Sequence, residues 1–323
     1  MIKKNSKIYI AGHNGMVGSA ITRKLKEKGY KNLLTINRKK LDLINQQKTF
    51  NFLKKNKPDL VILAAARVGG IISNSKHKDK FLYENLQIQN NMIHGSYLAG
   101  VKNFFFLGSS CIYPKHCKQP MKEEYLLSGP LEESNDAYSI AKIAGIKMCE
   151  NYNKFLKLNY KSFMPPNMYG PKDNYDLNNS HFYPALLSKI CSAKIKKKKF
   201  LEVWGSGKAR RELMFVEDFA DAIIFFMSKK IKEPFINIGT GKDHTILWYV
   251  NFLMKKLNVK LKIQHDRSKP DGMPKKCLDI KLAKKYGWKP NNDFNKSFDI
   301  TFKDFLKQTK NIFKKRYKKS YTF

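Results

Sequence analysis

Lys7-Ile-Tyr-Ile-Ala11, followed at once by Gly12-His13-Asn14-Gly15-Met16-Val17-Gly18, is the most informative stretch of this 323-residue chain. Residues 7–11 form a short apolar run that reads as a buried strand. Residues from about Met16 to Lys28 carry helical spacing. Between them a glycine recurs at every third position. Glycine permits a tight turn, lets backbone approach a pyrophosphate and lets a helix pack closely on a strand. A helix that starts there offers its first N–H groups, and a partial positive charge, to phosphates. Gly12 to Gly18 are therefore expected to form a dinucleotide-binding loop.

The same rhythm continues downstream. Leu33 to Ile36 reads as a strand and residues 46–56 as a helix. Asp59 to Ala65 is an apolar strand after Pro58, and Phe81 to Ala99 is a long helix. Phe104 to Leu107, Tyr138 to Phe155 and Tyr160 to Met164 read as strand, helix and strand. Continuous apolar strands alternating with helices predict an α/β fold, a Rossmann-type doubly wound parallel sheet. The pattern breaks after Pro165-Pro166-Asn167. A helix at 184–193, helix Val216–Met227 and strand Phe235–Ile238 follow, and the last two are expected to return to the sheet. The expected organisation is a dinucleotide-binding domain over 1–170 plus about 215–245, and a smaller substrate domain over 171–214 and 246–323.

Composition narrows the function. Hydrophobic residues make up 42% and aromatics 13%, too many for a disordered chain. No apolar run reaches the ~18–20 residues of a membrane helix, and the four-residue run after the N-terminal lysines is too short for a secretory signal. The five cysteines (111, 117, 149, 191, 277) contain no Cys-x-x-Cys pair, so neither a disulfide framework nor a zinc site is expected, and the reducing cytoplasm is the expected compartment. The net charge of +37 by itself suggests nucleic acid. However, only seven of the 63 basic residues are arginine, and the lysines are spread along the chain. Arginine supplies the forked contacts of nucleic-acid readers. A solvated lysine surface is the expected reading, with no nucleic-acid partner.

Chemistry is carried by Tyr138-Ser-Ile-Ala-Lys142, at the start of a predicted helix. A spacing of four puts both side chains on one face. The ammonium is expected to lower the phenol pKa so that Tyr138 can exchange a proton with a substrate oxygen. Ser109 ends a predicted strand, where the carboxyl ends of a doubly wound sheet face the ligand. It can hydrogen-bond the same oxygen. At the end of the second strand, Thr35-Ile36-Asn37-Arg38 has no acid for ribose hydroxyls but has an arginine suited to a 2′-phosphate, so NADP(H) is the expected cofactor.

These residues, with Ala64-Ala-Ala-Arg-Val-Gly-Gly-Ile71, Phe106-Leu-Gly-Ser-Ser-Cys-Ile-Tyr-Pro114, Asn179-Ser-His181, Trp204-Gly-Ser-Gly207 and Lys269-Pro-Asp-Gly272, are similar to the extended short-chain dehydrogenase/reductases that act on nucleotide sugars. Within these, the chain closely resembles the GDP-4-keto-6-deoxy-mannose 3,5-epimerase/4-reductases, over residues 8 to about 290. The resemblance implies removal and return of protons at sugar C3 and C5, then hydride delivery from NADPH to C4. It makes Tyr138 the proton donor, Lys142 its tuning and ribose-binding partner, Ser109 the group that polarises the ketone, and Cys111 and His181 the epimerisation base and acid. Lys142 and the cofactor pocket are the expected source of the cation a cysteine base needs. The resemblance adds cofactor contacts at Gly12, His13, Asn14, Gly15, Met16, Val17, Gly18, Arg38, Asp42, Leu43, Leu107, Gly108, Ser110, Pro165, Asn167, Met168 and His181. It adds substrate contacts at Lys189, Trp204, Arg211 and Asp271, and a homodimer built on the helices near 81–99 and 138–155. Lys189 stands where an arginine is common, Asn14 where a basic residue is common, and Pro166 where a threonine is usual. Ser110-Cys111 occupies the place of the Asp-Glu pair of the 4,6-dehydratases, which argues against dehydration. The remaining alternatives are another GDP-sugar 4-reductase or epimerase and, remotely, a nucleic-acid-binding protein on a dinucleotide fold.

Overall fold

The computed structural model describes residues 2–177, 179–268, 272–291 and 293–317. Strand β1 (Ile8–Ala11) runs into α1 (Met16–Glu27) through the glycine loop, and β2 (Leu33–Leu34) and α2 (Gln46–Asn56) follow. The chain continues through β3 (Leu60–Leu63), the short α3 (Ile71–Lys76), α4 (Lys78–Leu98), β4 (Asn103–Leu107), α5 (Asp136–Leu156) and β5 (Asn159–Met164). Asn45 caps α2 by accepting from the Lys48 N–H, and Lys57 ends it in the left-handed conformation. The second strand is shorter than the predicted Leu33–Ile36. It is an edge strand, and only Leu33 and Leu34 pair with β1.

The main sheet has six strands in the order β2-β1-β3-β4-β5-β9, where β9 (Phe235–Asn237) pairs parallel with β5. Every pair in it is parallel. The order reverses between β1 and β3, and at such a switch point the carboxyl ends of the strands leave a crevice. Successive strand residues face opposite sides, and both sides are covered. Ile8, Ile10, Ile62 and Phe105 pack with α1 and with α7 (Val216–Met227), which contributes Phe219, Ile223 and Phe226. Tyr9, Val61, Leu63 and Phe106 pack on the other side with Leu53 of α2, Met92 of α4 and Ile146 of α5.

A third core lies outside this sheet. It joins Tyr169 of β6 (Asn167–Tyr169), Leu187 and Ile190 of α6 (Phe182–Ile195), Leu201 and Val203 of β7 (Phe200–Trp204), and Leu213 of β8 (Arg210–Phe215). Tyr249 and Leu253 of α8 (Ile246–Lys256) and Phe305 of α10 (Phe294–Tyr317) close it. Strand β8 pairs with β6, with β10 (Asp243–Thr245) and with β12 (Lys275–Lys276), while β7 pairs with β11 (Lys262–Asp266). The small helix α9 (Lys281–Lys285) follows β12. Among the described residues, no helix is long and apolar enough to cross a membrane.

Candidate active site

The glycine loop has the shape its spacing predicts. Gly12 has a φ of +88°, and a Cβ there would lie 2.6 Å from the Ala65 nitrogen. A Cβ on Gly18 would lie 2.2 Å from the Gly12 carbonyl oxygen. Gly15 is different: the nearest atom to a Cβ would be the Gly12 carbonyl oxygen at 3.5 Å, an ordinary contact, so a methyl would fit there. Helix α1 has no acidic residue in its first turn and no side-chain cap. The N–H groups of Met16, Val17 and Gly18 have no carbonyl within the helix to serve. His13 Nδ1 is buried without a partner, and Asn14 is exposed beside it. Arg38 is exposed, with Nε 3.5 Å from Asp42. Leu43 is buried, and its carbonyl accepts from Asn91 Nδ2 at 2.9 Å.

At the end of β4, the Gly108 N–H donates to the Phe163 carbonyl and the Ser110 N–H donates to the buried Pro165, both at 2.9 Å. Asn167 and Met168 follow on β6, held by pairing with Leu213 and Met214. The chain therefore turns at Ser109 over the carboxyl edge of the sheet, and Ser109 Oγ accepts from the Cys111 N–H at 3.2 Å. Helix α5 lies close above this turn, because a Cβ on Gly145 would meet the Phe106 ring at 2.5 Å. That approach brings Tyr138 and Lys142 to the end of β4. Lys142 is buried, its Nζ donates to the Leu107 carbonyl at 2.8 Å, and it lies 5.6 Å from the Tyr138 ring centroid.

Two electrostatic expectations need correction. Burial raises the Tyr138 phenol well above the ordinary value, and the Cys111 sulfur raises it further, while Ser109 offsets only part of this. The Lys142 ammonium is aimed at the Leu107 carbonyl and is itself lowered by burial to about 8. Tyr138 therefore rests as a phenol, the form that donates a proton. The cation at Cys111 is also not Lys142. Lys276 Nζ lies 3.1 Å from Cys111 Sγ, and Asn135 Nδ2 lies 3.4 Å from the same sulfur. Burial would raise this thiol, but Lys276, Ser109 and Arg211 together hold it below the usual thiol value.

His181 stands at the N-terminal end of α6. It is exposed there. Desolvation there, and the charge of Lys276, hold it below the ordinary imidazole value. Lys276 thus influences both predicted epimerisation groups, and sequence reasoning missed it. Asn135 was missed as well. Arg211 Nη1 donates to the Met273 carbonyl at 2.6 Å, and β8 pairs Arg211 with Lys276. Lys189 and Trp204 meet on Glu202: Lys189 Nζ lies 3.5 Å from its carboxylate and 4.8 Å from the indole ring, whose Nε1 donates to Glu202 at 3.0 Å. Asp271 lies outside the described residues.

Residues 8–239 match the model of the NAD dependent epimerase/dehydratase family. The chain is 44% identical over 300 residues to a GDP-L-fucose synthase from Sinorhizobium fredii, covering 93% of this chain and 95% of that one. It is 42% identical over 309 residues to the GDP-L-fucose synthase of Escherichia coli, covering 93% and 96%. This chain belongs to the GDP-L-fucose synthase family. A solved GDP-mannoheptose C4 reductase from Campylobacter jejuni with NADP bound superposes with a TM-score of 0.85 at 35% identity, covering 94% of this chain and 99% of that one. The match to the broader epimerase/dehydratase model stops at residue 239, whereas the GDP-L-fucose synthase match extends over nearly the whole chain. Lys276 lies in that additional part.

Proposed function

We propose that this chain converts GDP-4-keto-6-deoxy-D-mannose to GDP-L-fucose, by epimerisation at C3 and C5 and NADPH-dependent reduction at C4. The observation that carries the reading is the meeting of a cation-paired sulfur, a hydroxyl and a neutral phenol at one strand end: Cys111, Ser109 and Tyr138. Each has a separate task in carbon-acid and ketone chemistry. Cys111 Sγ takes a proton from the carbon next to the ketone. The C–H bond breaks, an S–H bond forms, and the electron pair moves onto the C4 oxygen. Ser109 and Tyr138 stabilise that oxyanion by hydrogen bonding. An imidazolium at His181 returns a proton to the opposite face, and the pair flows back from oxygen to carbon. Both groups then exchange protons with water before acting at the second carbon.

The residues present fit NADP(H). The contacts at Gly12 and Gly18 keep the loop tight, the exposed Gly15 without a side chain lets a phosphate approach the backbone, and the uncapped start of α1 complements its charge. Arg38 is exposed, and its 3.5 Å contact with the Asp42 carboxylate leaves it within reach of a 2′-phosphate. When bound, NADPH supplies the hydride that C4 receives. Tyr138 then gives its phenolic proton to the C4 oxygen. Lys142 holds the phenol end of α5 against β4. Arg211 and Lys189 offer positive charge for the diphosphate, and Trp204 a flat face for the base.

In this reading the six-stranded sheet carries the cofactor and the third core carries the sugar nucleotide. A second copy of the chain is the expected partner. Exposed Tyr83, Tyr97 and Leu98 on α4, and Ile140, Phe155 and Leu156 on α5, support pairing through these helices. The cytoplasm is the proposed compartment, which the five free cysteines fit. Anaerobic mixing with NADPH and GDP-4-keto-6-deoxy-D-mannose tests the function. NADPH absorbance should fall, and product NMR should show the L-fucose configuration. A 4-reductase lacking epimerase activity would instead yield a sugar with C3 and C5 unchanged.

A further inference from the structure

Lys276 and Cys111 are 165 residues apart in the chain, yet their side chains meet at 3.1 Å. The backbone around Lys276 is strapped in place. The Met121 N–H donates to the Cys277 carbonyl at 2.7 Å, and the Asp279 N–H donates to the Met121 carbonyl at 2.8 Å. The Cys277 N–H donates to Gln119 Oε1 at 3.0 Å, and the Leu278 N–H donates to the buried Glu212 carboxylate at 2.7 Å. Glu212 also accepts from the Gly241 N–H at 2.8 Å. These bonds fix the backbone that carries the ammonium, and its contact with Cys111 Sγ holds the end of the side chain.

We propose that Lys276 is the positioning residue that keeps Cys111 a thiolate in the resting protein, ready to take the C3 and C5 protons; the proposal rests on the epimerisation reading above. Among the described residues, the groups facing the sulfur are Lys276 from β12, Arg211 from β8, Tyr138 from α5, Asn135 from the turn before α5, and Ser109 from the end of β4. Two are cations, and the amide of Asn135 donates to the sulfur. An anion is favoured by such a shell even where burial opposes it.

Desolvation lowers the His181 imidazole, and the same ammonium adds to it in the same direction. Epimerisation needs Cys111 without its proton and His181 with one. The thiolate fraction rises as pH climbs through the lowered Cys111 value, and the imidazolium fraction falls as pH climbs through the lowered His181 value. Both limbs of the pH profile are therefore displaced toward acid. Removing Lys276 relieves part of each, since desolvation still lowers His181 and Ser109 and Arg211 still lower Cys111, so both limbs move to higher pH together. A lysine that only supports the fold would move neither.

The test labels the protein with iodoacetamide across a pH series and reads Cys111 by peptide mass spectrometry. In the wild-type chain the labelling midpoint should lie below the ordinary thiol value of ~8.5. Lys276→Met should raise it by about one unit and slow labelling at neutral pH about tenfold, while Lys276→Arg should keep it low. An equal midpoint in wild type and Lys276→Met overturns the proposal. So does a wild-type midpoint at the ordinary value, a result that holds even if Lys276→Met fails to fold. Deuterium uptake from heavy water at C3 and C5 of the ketosugar separates the two readings. A shifted midpoint with no uptake in wild type supports the ion pair and overturns its use in epimerisation.

Discussion

Lys142→Met should make the protein more stable and much less active. Burial holds the Lys142 ammonium at about 8, against 10.5 for an ordinary lysine. That drop of about 2.5 units corresponds to roughly 3 kcal/mol of destabilisation carried by the folded chain at neutral pH. Methionine fills similar volume without the charge. It forfeits the hydrogen bond to the Leu107 carbonyl, which offsets about 1–2 kcal/mol of the gain. The net expectation at pH 7 is a stabilisation of about 1–2 kcal/mol. The pH dependence is a sharper signature. Below about 8 the side chain is charged in both folded and unfolded wild type, and the full penalty is present. Between about 8 and 10.5 the folded chain releases the proton before the unfolded chain does, so wild-type stability rises relative to the variant by up to roughly 3 kcal/mol. Urea denaturation of both proteins over that range measures the difference, and NADPH consumption measures the loss of C4 reduction. Parallel stability curves across this range, or a variant less stable than wild type at pH 7, would refute the claim of a desolvated ammonium.

Cys111→Ser should lower proton exchange at C3 and C5 by about 10²–10⁴-fold, while a substrate already epimerised is still reduced at C4; unchanged exchange by NMR rejects the base assignment. Gly18→Ala forces a Cβ to within 2.2 Å of the Gly12 carbonyl, so NADPH binding by fluorescence titration should be lost with part of the stability. Gly15→Ala has room for its methyl and should keep its melting temperature while weakening NADPH binding; equal behaviour of the two variants would contradict the loop geometry. Tyr113→Phe removes the buried 2.6 Å hydrogen bond to Asn237, which also donates to the Met121 and Asp279 carbonyls. It should cost about 1–3 kcal/mol in urea unfolding.

What the sequence determined by itself is local. Helices Gln46–Asn56 and Val216–Met227 end where periodicity says they should, because apolar spacing within one segment sets which face is buried. The glycine loop is equally legible, since the need for Gly12 and Gly18 arises within a few residues of backbone and the adjoining strand end. The grouping of Ser109, Tyr138 and Lys142 follows from a strand end and one helical turn. The direction of the Tyr138 shift was not legible, because desolvation depends on what covers the ring and the ammonium turns to a carbonyl instead. The cation at Cys111 was hidden for two reasons. Among so many lysines one more carries no signal, and the contact spans 165 residues. Only the packing of β12 against β8, pinned by Glu212 and the backbone of residue 121, selects Lys276 from the rest. A charge acts through distance in space, and that distance was set by the tertiary fold.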